Sequence, residues 1–571
     1  MPKKASLEPK TGQVNVKRGN GDIYIYERTT KYNPEKRFNE VISSHLVGKI
    51  PAGKTEMVST RPRRAKASVP KLASSKRIGV ACILEWIGRE SGIDQDLLHA
   101  TDRTTAEKIL SIARYWNANP GKTIPYIEEW QINHDIPYRD GISQDGCYAL
   151  MKAIGTDADM QQKFFRARAD RVPSKSSIAF DSTTVSSYSE NQIEARYGYN
   201  KSDDGLKSVK LLTQYCLETG QPIAYARQPG NIPDVISIIN ASKQLSVFGM
   251  EKPMFVMDAG FYSEDNMLTL IRSHIKFLVA GKLNASWIKS EFDGILNSIS
   301  QLSNHCPFDP SVYGMAIATQ HNFRRVRERS RSNISKGDVV TEEHRIYLYL
   351  YRNAAKAECD TASLADDIRK VQEHLKAEVQ PISEGERRIA DKYLMIRNTR
   401  GGLSITYNEE AFQDATRFAG CFILVSNAPL DVWDALRKYR RREKIEEHFR
   451  MDKQYVDGNR TRVWYPDSLS GRFFCQFVAL CYHEYLHQAI SNLKKTLAIK
   501  NGDPLHDTEQ NLKEEKALLN WLNSMSIERL FAWFDCIEET TVYTNMSKCR
   551  WQTETIKRDR LFLSRLGIIR Q

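Results

Sequence analysis

Hydrophobic and polar positions change their rhythm several times along the chain. "GDIYIYERTTKY" (21–32) and "RFNEVISSHLVGKI" (37–50) are β-branched and aromatic runs joined by "NPEK", a turn composition, and they predict a small β-rich unit over residues 1–60. "STRPRRAKASVPK" (59–71) reads as a basic linker, open to a second reading as an arm in a DNA minor groove. From about 76 to 170 apolar residues recur at three-to-four spacing, as in "TTAEKILSIARYW" and "DADMQQKFFRARA", which predicts helices.

From residue 176 the pattern turns to strands. "SSIAFDSTTVSS", "SVKLLTQYCLETG" and "QPIAYARQPG" read as three in succession. "NIPDVISIINASKQL" carries helix-start signals, with Asn231 at an N-cap position and Pro233 in the first turn. "KPMFVMD" is apolar without alternation, as expected of a central strand buried on both faces. A helix, "SEDNMLTLIRSH", and a strand, "IKFLVAGKL", complete the series. Three strands, helix, strand, helix, strand is an order that resembles the ribonuclease-H-like fold, an α/β core with a mixed sheet flanked by helices. About 130 residues then intervene before another buried strand, "FAGCFILVSN". They include the basic cluster "FRRVRERSR" (323–331), the strand-like "HRIYLYLY" and a charged helix near 363–379.

The expected organisation is therefore a β-rich unit and linker (1–71), a helical region suited to DNA binding (72–173), and a catalytic domain in two pieces (174–285 and 416–500). An insertion domain (286–415) separates those pieces, and a helical C-terminal region (501–571) follows.

Composition narrows the function. A net charge of +13 suits a polyanion, with nucleic acid the leading candidate. The ten cysteines form no CxxC pair, which reads as reduced thiols in an intracellular protein. No stretch approaches the roughly 18 apolar residues that would span a bilayer, so no membrane role is expected.

The chemistry is expected in three carboxylates. Asp181 ends the apolar run "SIAF" and Asp258 ends "PMFVM", and α/β folds place their reactive groups at such strand ends. Glu446 lies in "KYRRREKIEEHFRMDK" (438–453). At about 100° per residue, Tyr439, Arg442, Glu446 and Lys453 fall within roughly 60° of one another on a helix, whereas Glu447 points elsewhere. Three carboxylates suit Mg²⁺, a hard cation that takes oxygen ligands, with Mn²⁺ able to substitute. Two such ions about 3.5–4 Å apart would activate an attacking oxygen and stabilise the leaving one, with Asp181 bridging them. Arg442 would then hold a phosphate beside the scissile one, Lys453 a more distant phosphate, and Tyr439 a phosphate or an unstacked base.

This segment carries a family resemblance. Y-x2-R-x3-E-x6-K is the signature of insertion-sequence DDE transposases of the YREK group, and it matches Tyr439, Arg442, Glu446 and Lys453 without a gap. "FDSTTVSSYS", "QPGNIPD" and "VMDAGFYS" resemble that family's segments around its two aspartates. "FFCQFVALCYHEYL" is similar to its apolar helix after the glutamate. The resemblance covers about 176–490. It implies a metal-dependent nuclease and strand transferase of prokaryotic cytoplasm, acting at the nucleoid. Such an enzyme binds terminal inverted repeats as a homodimer and joins the freed ends to target DNA, by cut-and-paste. It also implies excision through a DNA hairpin, for which Trp287 and Trp433 are candidate base-holding residues.

Two other readings stay open. "HEYLH" (483–487) is the HExxH pattern of zinc metalloproteases, with His483 and His487 as ligands, Glu484 as base, and His506 or Glu509 as a third ligand. Its apolar flanks instead predict a core helix. A catalytically inactive, transposase-derived DNA-binding repressor is the other.

Overall fold

A computed structural model describes residues 8–59, 70–173, 176–198, 200, 204–232, 238, 240–241, 244–245, 247–250, 253–283, 285–326, 339–377, 383–399, 402–455, 460–500, 509–544 and 547–568. The chain divides into two compact units, Met1–Ser74 with Thr540–Trp551, and Ser75–Glu539 with Gln552–Gln571.

The first unit holds a meander of β1 (Lys10–Lys17), β2 (Ile23–Asn33), β3 (Phe38–Ile50) and β4 (Val58–Ser59), antiparallel throughout. It also holds most of a three-stranded sheet that includes β5 (Pro70–Arg77). Most of the expected basic linker, residues 60–69, lies outside the described residues.

The second unit begins with α1 (Gly79–Glu90), α2 (Ile93–Ala100), α3 (Arg103–Ala118), α4 (Ile127–Asn133), α5 (Gln144–Thr156) and α6 (Ala158–Asp170). Local sequence explains the boundaries. Asp102, Ser143 and Asp157 each accept a hydrogen bond from a backbone N–H of the first turn.

The main sheet follows: β6 (Ser177–Ser187), β7 (Lys207–Cys216), β8 (Pro222–Pro229), β9 (Met254–Met257), α7 (Glu264–Arg272) and β10 (Lys276–Ala280). The helix expected over 231–245 falls largely outside the described residues. After α8 (Ser286–Asp293) and α9 (Leu296–Ile299) come β11 (Val312–Val326), β12 (Val339–Asn353), α10 (Ala354–Lys376), α11 (Glu384–Tyr393), β13 (Leu394–Thr399), β14 (Gly402–Tyr407) and α12 (Glu409–Thr416). Then come β15 (Cys421–Ser426), α13 (Val432–Tyr455) and α14 (Pro466–Lys500). The chain closes with α15 (Glu509–Asn523), α16 (Ile527–Phe534), β16 (Glu538–Thr544), β17 (Lys548–Gln552) and α17 (Lys557–Arg565).

The sheet order is β11-β12-β15-β10-β9-β6-β7-β8. β6, β7 and β8 are antiparallel, and β9 and β10 run parallel to β6. A mixed sheet flanked by helices fits the expected ribonuclease-H-like core. β9 and β10 are buried almost throughout, which is why their sequences do not alternate.

Three features differ from the sequence reading. The stretch 286–415 is not wholly separate, because β11 and β12 extend the main sheet through β15. Only α10–α12 with the β13–β14 hairpin gather around a small core of their own, at Ile368, Val371, Tyr393 and Ile405. The helices of 72–173 share one hydrophobic core with the sheet and α14. The α5–α14 crossing is close: a Cβ on Gly155 would lie 1.7 Å from the Asp467 carbonyl oxygen, and one on Gly471 1.8 Å from that of Met151. Finally, the C-terminal region carries the β16–β17 hairpin among its helices, since "EETTVYT" is a β-branched run.

Candidate active site

The site is built where β6, β9 and α13 meet. β6 and β9 pair in parallel at Ile178↔Phe255 and Ala179↔Val256. Carried two residues further, this register sets Asp181 level with Asp258. Asp181 was expected at a strand end. Instead β6 runs on to Ser187, because "STTVSS" keeps pairing with β7 as far as Lys207. Only the ladder to β9 stops before Asp181, so the residue sits mid-strand with β7 on one side and the end of β9 on the other.

Asp258 follows β9 and caps a short 3-10 turn, Ala259–Phe261. Its Oδ1 accepts a hydrogen bond of 3.0 Å from the Gly260 N–H, which orients the carboxylate. Its Oδ2 lies 3.3 Å from Nη2 of Arg442. The Arg442 side chain is 3% exposed and that of Asp258 33%, so the cation is interior and the carboxylate faces partly outward. The Arg442 guanidinium also lies 6.0 Å from the centre of the Tyr439 ring.

The other cations of this segment explain how α13 is held. Lys438 donates to Ser177 Oγ at 2.7 Å and lies 3.4 Å from Glu218 Oε1, tying the helix to the start of β6. Arg440 lies 2.6 Å from Asp309 Oδ2. The Ser311 hydroxyl, against the opposing effect of burial, and then Arg440 hold the Asp309 carboxyl below its ordinary value. Three cations of "KYRRR" are thus paired within the protein rather than lying on a solvated face.

Tyr439, Arg442, Glu446 and Lys453 all lie on α13. Glu446 is one turn beyond Arg442, about 6 Å along the axis. The side chains of Asp181, Glu446 and Lys453 lie outside the described residues, so the structure places these three by backbone alone. It brings together Asp258, Arg442 and Tyr439 by side chain, and Asp181 by register.

Of the rival motif, His483 and Glu484 are buried in α14, whose apolar residues form part of the main core. Among the described residues no group of three or more His, Cys, Asp or Glu could hold a metal ion. His506 and the side chain of Glu509 lie outside the described residues. Trp287 stacks on His321 with ring centres 4.0 Å apart, and Trp433 packs near Phe308 and Tyr351.

Residues 173–482, more than half of the chain, match the family model of the transposase DDE domain. The chain belongs to that family. In this DDE transposase the matched span runs from just before β6 into α14 and so contains all three candidate carboxylates. A solved structure of a piggyBac transposase synaptic complex with hairpin DNA is similar at 11% identity, with a TM-score of 0.34, over 86% of this chain and 82% of that one. No curated protein matches the chain. Among the described residues no helix of the transposase is long and apolar enough to cross a membrane.

Sequence reading missed Lys438 and Arg440 as anchors of α13. It also missed "RTRVWYP" (460–466), which follows α13 and pairs with β6 through Ser186↔Arg460. Two arginines followed closely by two adjacent aromatics were the available signal.

Proposed function

We propose that this chain is a YREK-group transposase that hydrolyses phosphodiesters at transposon ends and transfers the freed ends to target DNA. Asp181, Asp258 and Glu446 would be its catalytic carboxylates. The observation that carries the proposal is the Arg442–Asp258 ion pair beside the β6–β9 register. It sets the signature arginine of α13 against one aspartate, in line with the other.

The donors fit a divalent cation. Asp258 offers a partly exposed carboxylate already oriented by Gly260, and all three expected ligands are oxygen donors, which suit Mg²⁺ or Mn²⁺. Asp181, Asp258 and Glu446 would hold two ions, which supply charge stabilisation to the attacking and leaving oxygens.

The chain's own groups do the positioning. Arg442 holds the Asp258 carboxylate in place, and its planar fork is suited to a phosphate oxygen as well. Tyr439 and Lys453 extend the contact along the strand. Hydrolysis breaks the P–O bond at the transposon end and leaves a 3′ hydroxyl. Attack of that hydroxyl on a target phosphodiester joins the two DNAs and expels the target's own 3′ oxygen. A homodimer on paired inverted repeats, cut-and-paste excision, and action at the nucleoid in prokaryotic cytoplasm belong to the same reading.

The test is cleavage of a plasmid carrying the DNA that flanks this gene, with Mg²⁺ or EDTA. Metal-dependent breaks at the flanks, lost in Glu446→Gln and kept in His487→Ala, support the proposal. No breaks from any version despite tight end binding would overturn it in favour of a DNA-binding repressor. Loss in His487→Ala alone would overturn the carboxylate assignment.

A further inference from the structure

Beyond the carboxylates, the far end of β6 carries a surface that the proposed chemistry does not use. The segment Arg460–Tyr465 is fastened there. The Thr461 N–H donates to the Ser186 carbonyl at 3.1 Å, and the Ser187 and Thr461 hydroxyls lie 3.0 Å apart. Ser189 Oγ donates to the Trp464 carbonyl at 2.9 Å, and Gln192 Nε2 to that of Val463 at 3.1 Å. Arg462 adopts a left-handed backbone with φ of 51°, a conformation that costs a non-glycine residue free energy and persists only where its surroundings impose it.

This rigid backbone leaves large aromatics in solvent. Tyr188 is 69% exposed, Trp464 66% and Tyr465 61%. The Arg460 guanidinium sits 5.1 Å from the centre of the Tyr188 ring and is also paired with Asp204. Nearby on the same strand pair, Lys207 lies 5.7 Å from the centre of the exposed Tyr197 ring. A concavity of about 380 Å³ opens among Tyr188, Arg460, Arg462, Trp464, Thr123 and Tyr148.

Exposed rings on a fixed backbone cost free energy in water unless something covers them. The occupant should have flat apolar faces and negative charge, because cations lie beside the rings. Unpaired nucleotides have both. Bases stack on aromatic side chains without sequence preference, and the basic groups take the phosphates.

We propose that Tyr188, Trp464 and Tyr465, with Arg460 and Arg462, form a stacking platform for unpaired DNA nucleotides next to the cleavage site. The inference rests on the DNA-cleaving reading for its substrate. Ser186 lies five residues beyond Asp181 on β6, about 17 Å at the rise of a strand. The platform therefore engages the strand a few nucleotides from the bond that is cut.

The test compares binding of fluorescein-labelled dT12 and a 20-base-pair duplex by the full chain without metal. The proteins are wild type, Tyr188→Ala, Trp464→Ala and Trp464→Phe. Each alanine variant is expected to bind dT12 about tenfold more weakly and the duplex within twofold of wild type, with Trp464→Phe close to wild type. These side chains are exposed, so thermal melting should not move. Equal losses on both probes would overturn the platform in favour of plain phosphate contacts. Unchanged dT12 binding in the alanine variants, or a wild type that ignores dT12, would overturn it as well. Plasmid cleavage reads the catalytic proposal separately. Cleavage with unchanged dT12 binding sinks only the platform, and dT12 discrimination without cleavage upholds the platform and sinks only the catalysis.

Discussion

The guanidinium of Arg442 lies 3.3 Å from the carboxylate of Asp258, one on a helix and the other 184 residues earlier at the end of a strand (442 − 258). The arginine is almost wholly buried, so the pair is an internal contact rather than a surface bridge. It ties α13 to the end of β9.

That pair should matter more to the chemical step than to DNA affinity. Arg442→Gln is expected to slow single-turnover cleavage about a hundredfold, the usual scale for losing one oriented donor in an active site. End binding by gel shift should stay within threefold. Arg442→Lys should recover part of the rate, since it keeps the charge but loses the planar fork. Undiminished cleavage by Arg442→Gln would remove the pair from the mechanism.

Salt dependence should separate the members of the stripe. Each phosphate neutralised contributes about −0.9 to the slope of log affinity against log salt. Lys453→Ala is expected to flatten the slope by about one, if Lys453 holds a phosphate. A slope identical to wild type would assign Lys453 to some other task.

The α5–α14 crossing should tolerate no side chain at Gly471. A methyl there meets the Met151 carbonyl, which belongs to a helix backbone and cannot swing aside. Gly471→Ala is expected to destabilise the second unit by about 1–3 kcal/mol, the usual range for overpacking. The midpoint of urea unfolding reads this directly, and an unmoved midpoint would contradict the close crossing.

Acid should attack the second unit partly through Asp535. Burial alone would raise its pKa, but the hydrogen bond and charge of His134 at 2.7 Å and of Arg77 at 2.9 Å hold it below the ordinary value. A carboxyl depressed in the folded state contributes stability that is present above its unfolded pKa and lost as pH falls through its folded one. Asp535→Asn is therefore expected to lower stability at pH 7 by about 1–3 kcal/mol and to narrow its gap to wild type below about pH 4. A gap constant from pH 7 to pH 3 would show that the carboxylate charge contributes nothing there.

Local signals in the chain announced much of this architecture. The unalternating run at 254–257 announced a buried strand, the three-to-four spacing of apolar residues over 76–170 announced helices, and the spacing of three, four and seven between 439, 442, 446 and 453 put four chemical groups on one helical stripe. These are short-range effects, and periodicity and capping depend only on neighbours in sequence. Tertiary structure decided the rest. Nothing near Arg442 in the chain shows that it turns inward to Asp258 or that Lys438 reaches Ser177, because both partners lie on other elements. Nor does the run "SIAF" reveal that β6 continues past Asp181, which follows from its pairing with β7. The strand order that levels Asp181 with Asp258, and the seating of Trp464 at the far end of β6, come from pairings between segments far apart in the chain. Sequence periodicity carries no information about which partner a strand end or a cation will meet.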